Sequence, residues 1–419
     1  MEREPLSAVD AAWLGMGSDE NPMVITAVLV FARPVARELV LETMTRVSAE
    51  GRFRARVRRS ISGASWEKDP TFEVASHVAR VACPAPGDRA ALEGVVSDLR
   101  GQPLDPDRPL WHVTVVDGVG GGSAVVARVH HALGDGMALV SMLLGLGGAS
   151  GGVDLADVGV APPAPTGAVD LAKTAADHVA TLGRLVIMPS DPKTPLKGAL
   201  GTRKLVAWTE RLPLDRVKAV ARALGAKVND VMTALVSAAV ADELARAGAL
   251  EDGLEVHALV PVFFRGSAGM GNHFGLVFLA LPLGTRDPRD RVRAVARRMA
   301  LRKEGADAAV SWEVLAAMGV ASAELERVGI EIFSRKATML VTNVPGPPVP
   351  LPLFGQEIAD LVVCAPNAGH IGLGFSILSY AGAVRACVGV DARLVDDARR
   401  LTDSMERHWA TLEAATLGG

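Results

Sequence analysis

Aromatic residues make up only 4% of the 419 positions, and Tyr380 is the single tyrosine. So sparse a supply argues against base-stacking platforms and aromatic carbohydrate clefts. Cysteine is scarcer still. Cys83, Cys364 and Cys387 are odd in number, far apart and in no Cys-x-x-Cys pairing, so neither a disulfide framework nor a metal site is expected, and a reducing compartment fits. An excess of one charge is also missing: a formal net charge of −3 gives no drive toward nucleic acid, which is not expected as a partner. Apolar runs such as LVFLALPLG at 276–284 stop short of the roughly 18–20 residues a membrane span needs, so any membrane contact is expected to be peripheral. The start, MEREPLSAVDAAW, lacks the basic beginning and apolar core of a signal peptide, and a cytoplasmic location is expected.

What is present is apolar side chain, at 49% of residues against 22% charged, enough for large cores. The length exceeds what one core usually supports and points to two domains, or roughly three at about 150 residues each. A mean hydropathy of +0.26 leaves room for an apolar ligand tunnel besides.

Both ends of the chain read as mixed α and β. The β-branched run at 23–31 predicts a buried strand, followed by helices over 36–50 and 88–100 and strands over 111–117 and 123–130. In RFRARVRRS the alternation places Arg52, Arg54, Arg56 and Arg58 on one face of a strand. The glycine cluster at 118–122 has hairpin character and lacks dinucleotide-loop spacing. Beyond Gly145 the composition turns to Gly, Ala and Pro, which marks a linker over 146–202, interrupted by a helix at 168–187, between an N-terminal lobe over 1–145 and a C-terminal lobe over 203–419. The second lobe predicts helices at 213–224, 228–248, 287–303 and 311–328 and strands at 255–263, 274–283, 337–342, 372–379 and 384–391.

The strand ending at His130 runs straight into His131, Gly134, Asp135 and Gly136. Imidazole titrates near neutrality, so a histidine at a strand end can take a proton from an alcohol and later return it to a leaving group. Asp135 has two open roles, orienting the imidazole or holding the loop through an ion pair. Other motifs carry less. Ser150 satisfies GxSxG inside the linker, where the strand and helix of a nucleophile elbow are not expected. The helix bearing Arg291, Arg293, Arg297, Arg298 and Arg302 reads as a solvated face or as a membrane-surface helix.

The pair His130 and His131 with Asp135 and Gly136 resembles the HHxxxDG signature of the wax ester synthase and diacylglycerol acyltransferase family, and other segments match that family in order. They are LSAVDAAW with NPM near the start, Pro109, Leu110 and Trp111, Asn229 and Asp230, Gly271 and Asn272, and NVPGP at 343–347. The resemblance implies an α/β fold of two lobes like chloramphenicol acetyltransferase, within the CoA-dependent acyltransferase superfamily, joined by a long crossover linker. It implies transfer of a fatty acyl group from acyl-CoA, a substrate rather than a cofactor, to diacylglycerol or a long-chain alcohol. His131 would be the general base, His130 its supporting neighbour, Asp135 a loop-holding residue and Asn272 the stabiliser of the oxyanion, with direct attack in a ternary complex. Gly136, Pro109, Leu110, Trp111 and Gly271 would lie on the substrate side. No metal or cofactor is expected, the chain would be a monomer or homodimer, and it would visit a membrane or lipid-droplet surface. Val24 and His112 depart from the family pattern and leave the acceptor open. A different hydroxyl or amine acceptor, or a lipid-binding protein without turnover, are the alternatives.

Overall fold

The computed structural model describes residues 3–49, 51–60, 63–146, 188–263, 272, 274–304, 311 and 323–418. In the first half the elements are β1 (Glu4–Pro5), α1 (Ala8–Gly15), β2 (Val24–Phe31), α2 (Arg37–Val47), β3 (Ala55–Ser60), β4 (Gly63–Lys68), β5 (Val78–Ala82), α3 (Arg89–Arg100), β6 (Trp111–Val119), β7 (Gly122–His130) and α4 (Gly136–Leu146). In the second half they are β8 (Lys204–Trp208), β9 (Leu212–Pro213), α5 (Leu214–Ala223), α6 (Val228–Arg246), β10 (His257–Phe263), β11 (Phe274–Ala280), α7 (Pro288–Glu304), α8 (Ala323–Lys336), β12 (Met339–Pro345), β13 (Pro352–Leu353), β14 (Gln356–Glu357), β15 (Asp360–Cys364), β16 (Leu373–Tyr380), β17 (Ala383–Asp391) and α9 (Arg399–Leu417).

Two sheets carry the fold. The first runs β15-β2-β7-β6-β5 and the second β11-β10-β12-β16-β17-β8, while β1-β4-β3 form a small third one. β6 and β7 make an antiparallel hairpin whose register sets Trp111 against Val129. The reversal uses Gly120 and Gly121 at φ of 57° and 85°, a region where a Cβ is strained, so the glycine cluster is the hairpin turn expected of it. α6 is buried along most of its length at the centre of the second core. It starts with Asp230 Oδ2 accepting from the Lys227 backbone N–H at 2.8 Å, which satisfies a group the helix cannot reach. Among the described residues no single helix is long and apolar enough to cross a membrane.

The halves are interlocked. β15 lies late in the chain yet pairs antiparallel with β2, so it completes the first sheet. It also lies against β17 of the second sheet, where Arg385 pairs with Asp360 at 2.8 Å. β8, at the edge of the second sheet, is covered by α3 of the first half. Ser97 Oγ accepts from the Val206 N–H at 2.9 Å and Glu93 Oε1 from the Trp208 N–H at 3.1 Å, which occupies donors an exposed edge would leave open. Between these elements sits a shared apolar core including Val28, Leu92, Val126, Trp208 and Val362.

Several expectations need correction. Cys364 and Cys387 form a disulfide, their Cα atoms 5.8 Å apart, because β15 crosses to meet β17, a proximity that sequence spacing does not reveal. The arginine-faced strand begins only at Ala55. Gly51–Arg54 is a 3-10 turn, Arg52 lies over Trp66 and pairs with Glu4 and Asp10, and Arg56 and Arg58 share Glu67. That face is largely neutralised. The basic helix is real, as α7, but Arg291 is buried and bonds to the Thr285 carbonyl, Arg298 pairs with Glu255 and Arg293 with Asp290. Arg297 is exposed. The expected helix at 168–187 and Ser150 lie outside the described residues, as does most of the expected helix at 311–328, whose last part falls in α8.

Candidate active site

The site is built where β7 ends. His130 closes the strand, its N–H donating to the Leu110 carbonyl at 2.9 Å, and the chain turns through 131–135 into α4. Asp135 stops that turn. Its Oδ1 accepts from the Ala138 N–H at 3.0 Å and its carbonyl from the Leu139 N–H at 3.1 Å, which makes it the cap of α4 and leaves a negative charge at a helix N-terminus. In this position Asp135 shapes the loop as a helix cap, and its charge opposes the effect of burial on His131.

His131 is held from three sides. Its backbone N–H donates to the Met23 carbonyl at 2.8 Å, its carbonyl accepts from Asn272 Nδ2 at 2.9 Å, and its ring stacks on the Trp13 indole at 4.5 Å between centroids with 22° between planes. Met23 reaches that position at a φ of 54°, a left-handed conformation costing a non-glycine residue of order 1–3 kcal/mol, and it is fully buried. Its neighbour Asn21 anchors the segment by donating to the Gly369 and Ile371 carbonyls at 2.7 and 3.1 Å. The NPM segment thus aims a backbone carbonyl at the histidine.

His131 is 8% exposed and lines an apolar cavity that Trp13, Phe263, Phe274 and Val344 also line. Burial holds its pKa below the ordinary histidine value, opposed by the Asp135 charge and the Asn272 side chain. The free imidazole is therefore neutral at pH 7, the state a base requires. His130 differs. Its Nδ1 accepts from the Ala132 N–H at 3.1 Å, and burial, helped by the charges of His131 and Arg59, pushes its pKa down to about 3. It is a neutral pin in the turn.

Asn272 departs from the role the resemblance implies. One Nδ2 hydrogen goes to Asp10 Oδ1 at 2.8 Å and the other to the His131 carbonyl, so an amide has no proton left for an oxyanion in this state. Asp10 is 1% exposed and its other oxygen accepts from Arg52 Nη1 at 3.1 Å. A continuous chain results: Glu4, Arg52, Asp10, Asn272, His131. Ser7 starts it locally, capping α1 by accepting from the Asp10 N–H at 3.0 Å, and Trp13 stands one turn later on that helix. Asp10 and Trp13 both sit inside the LSAVDAAW segment, but without knowing that Arg52 folds back nothing in the sequence assigned them to the site.

The remaining expected residues spread. Pro109 and Leu110 are buried away from the catalytic cavity, whereas Trp111, 1% exposed, donates Nε1–H to the Phe53 carbonyl at 2.7 Å and stacks on His77. Asn229 accepts from Asn343 at 3.2 Å, so the Asn-Asp and NVPGP segments meet each other. Gly136 lines the cavity; Gly271 lies outside the described residues.

Three buried histidines and one half-buried one dictate an acid response. His130 titrates at about 3 and His112 at about 4, and burial also lowers His131 and His77. Unfolded, each takes a proton near 6.5, so below that pH the unfolded chain binds more protons and gains on the folded one. Stability is expected to be greatest above about pH 7 and to fall from 6.5 toward 4. Thermal melts across that range measure it; a melting temperature flat from pH 7 to 4 contradicts the buried neutral state.

Comparison with known proteins places these residues in a family. The sequence profile of the wax ester synthase/diacylglycerol acyltransferase catalytic domain matches residues 6–150 and 152–232, and that of the WS/DGAT C-terminal domain matches residues 270–413. A protein of Mycobacterium tuberculosis strain CDC 1551 named as a diacylglycerol O-acyltransferase is 30% identical over 90% of this chain and 84% of its own. Among solved structures, the wax ester synthase/diacylglycerol acyltransferase from Marinobacter aquaeolei VT8 superposes with a TM-score of 0.73 at 22% identity, over 98% of this chain and 99% of that one. The first condensation domain of the calcium-dependent antibiotic synthetase gives 0.62 at 18% identity, over 99% and 96%.

Proposed function

Because the chain belongs to the wax ester synthase/diacylglycerol acyltransferase family and is an acyltransferase, we propose that it moves a fatty acyl group from acyl-CoA to the hydroxyl of diacylglycerol or a long-chain alcohol, with His131 as general base. The observation that carries this reading is a neutral buried imidazole in the wall of an apolar cavity lined by Trp13, Phe263, Phe274 and Val344. Such a cavity suits alkyl chains and excludes the water that would otherwise hydrolyse the thioester.

The imidazole takes the acceptor's hydroxyl proton as that oxygen bonds to the thioester carbonyl carbon. The tetrahedral adduct then collapses, the C–S bond breaks, and the thiolate leaves with the proton returned by His131. The passing imidazolium is favoured by the Asp135 charge and by the Trp13 ring face beneath it. Asn272, with both protons engaged, acts by positioning the His131 backbone, and every step uses the chain's own groups. Substrates with insoluble chains place this work at a lipid surface, where Leu301 on α7 and Val328 on α8 offer exposed apolar contacts.

Incubating the purified protein with palmitoyl-CoA and a mixed set of acceptors, with products resolved by chromatography, tests the reading. Triacylglycerol or wax ester is expected. Product with an amine or a polar alcohol alone would point to another acceptor class, and none at all to a lipid binder without turnover. Direct attack carries its own expectation: Ser150→Ala leaves turnover unchanged, and no radiolabelled acyl group stays on the denatured protein. A retained label would turn the mechanism to a two-step, acyl-enzyme scheme.

A further inference from the structure

The wall of the catalytic cavity is apolar except at a few points, and two of them lie side by side. Thr342 of β12 and Ser376 of β16 are a register pair on neighbouring parallel strands, so their side chains leave the same face of the second sheet from backbones about 4.8 Å apart. Both are buried, and both line the cavity together with His131. Their strand neighbours Val341, Phe375 and Ile377 go to the other face, into the second core. Val344 lies on the same face as Thr342, two residues further on, and its Cγ2 would stand 3.1 Å from a Cβ placed on Gly136. β12 is thereby pressed against the start of α4, and Thr342 lies about 7 Å back along the strand from that contact.

The hydroxyl protons of this pair are uncommitted. Ser376 Oγ accepts from the Ala365 N–H at 2.7 Å, and the Ala365 carbonyl is held in turn by the buried Arg100. The oxygen is thus fixed, while its own proton has no acceptor among the described residues. Thr342 Oγ1 makes no hydrogen bond among the described residues, not even to Ser376. Ser334, also in the wall, shows the contrast: it donates to the Ile330 carbonyl at 2.7 Å and accepts from the His370 N–H at 3.0 Å. Buried hydroxyls are nearly always paired, so two adjacent free ones in a ligand cavity call for a partner that arrives with the ligand. That partner must offer an oxygen lone pair.

We propose that Thr342 and Ser376 bind a carbonyl oxygen of a substrate, each donating its hydroxyl proton to it while the reacting atoms lie at His131. The inference rests on the acyltransferase reading and deepens it. The shared chemistry is a carbonyl in an apolar cavity, and two sources carry it. One is the thioester, on which negative charge grows as the acceptor attacks. The other is an ester of diacylglycerol, which a long-chain alcohol lacks, and in that case the pair tells the two acceptors apart.

Thr342→Val removes a hydroxyl and keeps the β-branched shape, and Thr342→Ser keeps the hydroxyl. Ser376→Ala is less clean because it also strands the Ala365 N–H. Steady-state kinetics with palmitoyl-CoA are compared for hexadecanol and dipalmitoylglycerol. With the thioester held, Thr342→Val lowers kcat about 10²- to 10³-fold for both acceptors alike, the loss that follows removal of an oxyanion donor. With the acceptor ester held, KM for dipalmitoylglycerol rises about two- to tenfold and hexadecanol turnover is unchanged. Thr342→Ser restores the wild-type values in both cases. Unchanged kinetics with both acceptors, or a loss that Thr342→Ser fails to restore, overturns the pair. Infrared spectra give a readout without turnover, with two bound probes carrying a ¹³C-labelled carbonyl: dipalmitoylglycerol, and a ketone analogue of palmitoyl-CoA with a methylene in place of sulfur. The carbonyl stretch of one probe is expected at lower frequency in the wild type than in Thr342→Val. If the wild-type protein acylates nothing but that shift is seen, the catalytic reading fails while the carbonyl site stands; bands identical in the two proteins for both probes overturn the site.

Discussion

His131→Ala is expected to lower kcat by about 10²- to 10⁴-fold with little change in melting temperature, because the loss is that of a positioned base rather than of a fold element. The ring stacks on Trp13 and meets Phe274 edge-on, while the hydrogen bonds that shape the turn are made by the backbone of 131 and by its neighbours. The wild-type acid limb of kcat/KM should fall below the ordinary histidine value of about 6.5, since burial keeps the imidazole unprotonated to lower pH. In the alanine variant that limb should vanish. His130→Ala gives the contrasting result, a larger loss of stability than of rate, because its Nδ1 satisfies the Ala132 N–H. An alanine variant at 131 that stays folded and turns over at the wild-type rate would show that the proton goes elsewhere.

Asp10→Ala is expected to be the most damaging change outside the histidine motif, costing about 3 kcal/mol in stability together with a fall in kcat. The carboxylate is buried between Arg52 and Asn272, and its removal strands a guanidinium and an amide at once. Arg52 keeps Glu4 at 2.9 Å, which places the loss at the low end of what breaking a buried pair costs. Asp10→Asn separates shape from charge. It fills the same space and keeps an acceptor for Asn272, so it should regain much of the melting temperature, while kcat recovers only in part and KM is unaffected. Chemical denaturation and steady-state kinetics on the pair measure this. If Asp10→Ala leaves both stability and kcat intact, the chain from Arg52 to His131 does not position the base.

What the sequence made legible follows from how local each signal is. Local patterning exposed α3, α6 and β10, β11, β12, β16 and β17 of the second sheet but not β8; α3 buries one stripe against its neighbours, whereas α6 is an apolar run buried on nearly every side. The paired histidines could be placed at the end of β7 because a β-branched run leads into a glycine-flanked loop. The site's supports were hidden because they depend on long-range closure. Asp10 meets Asn272 across 262 positions, and Arg52 looked like part of a solvated strand until the turn at Gly51–Arg54 brought it inward. β15 is short, and nothing in DLVVC says that it leaves its own half; the disulfide at Cys364 was missed with it. The closing helix α9 also escaped, although Leu401, Met405, Trp409 and Leu412 form its buried stripe.

The crossing of β15 also sets the order in which the chain can mature on the ribosome. β2 is made long before its partner on one side, Asp360–Cys364, emerges. Until then the first sheet ends at β2, with a row of N–H and C=O groups open to any passing strand. Nascent domains generally finish from the N-terminus onward, but here the first sheet waits for a strand made far later in the chain. The unfinished edge carries Val24, Ile25, Val28 and Leu29, a sticky surface for the duration of translation. A release of the chain before residue 364 would make that surface permanent, so truncated products of this protein are bound for chaperones or aggregates rather than for a working half-enzyme.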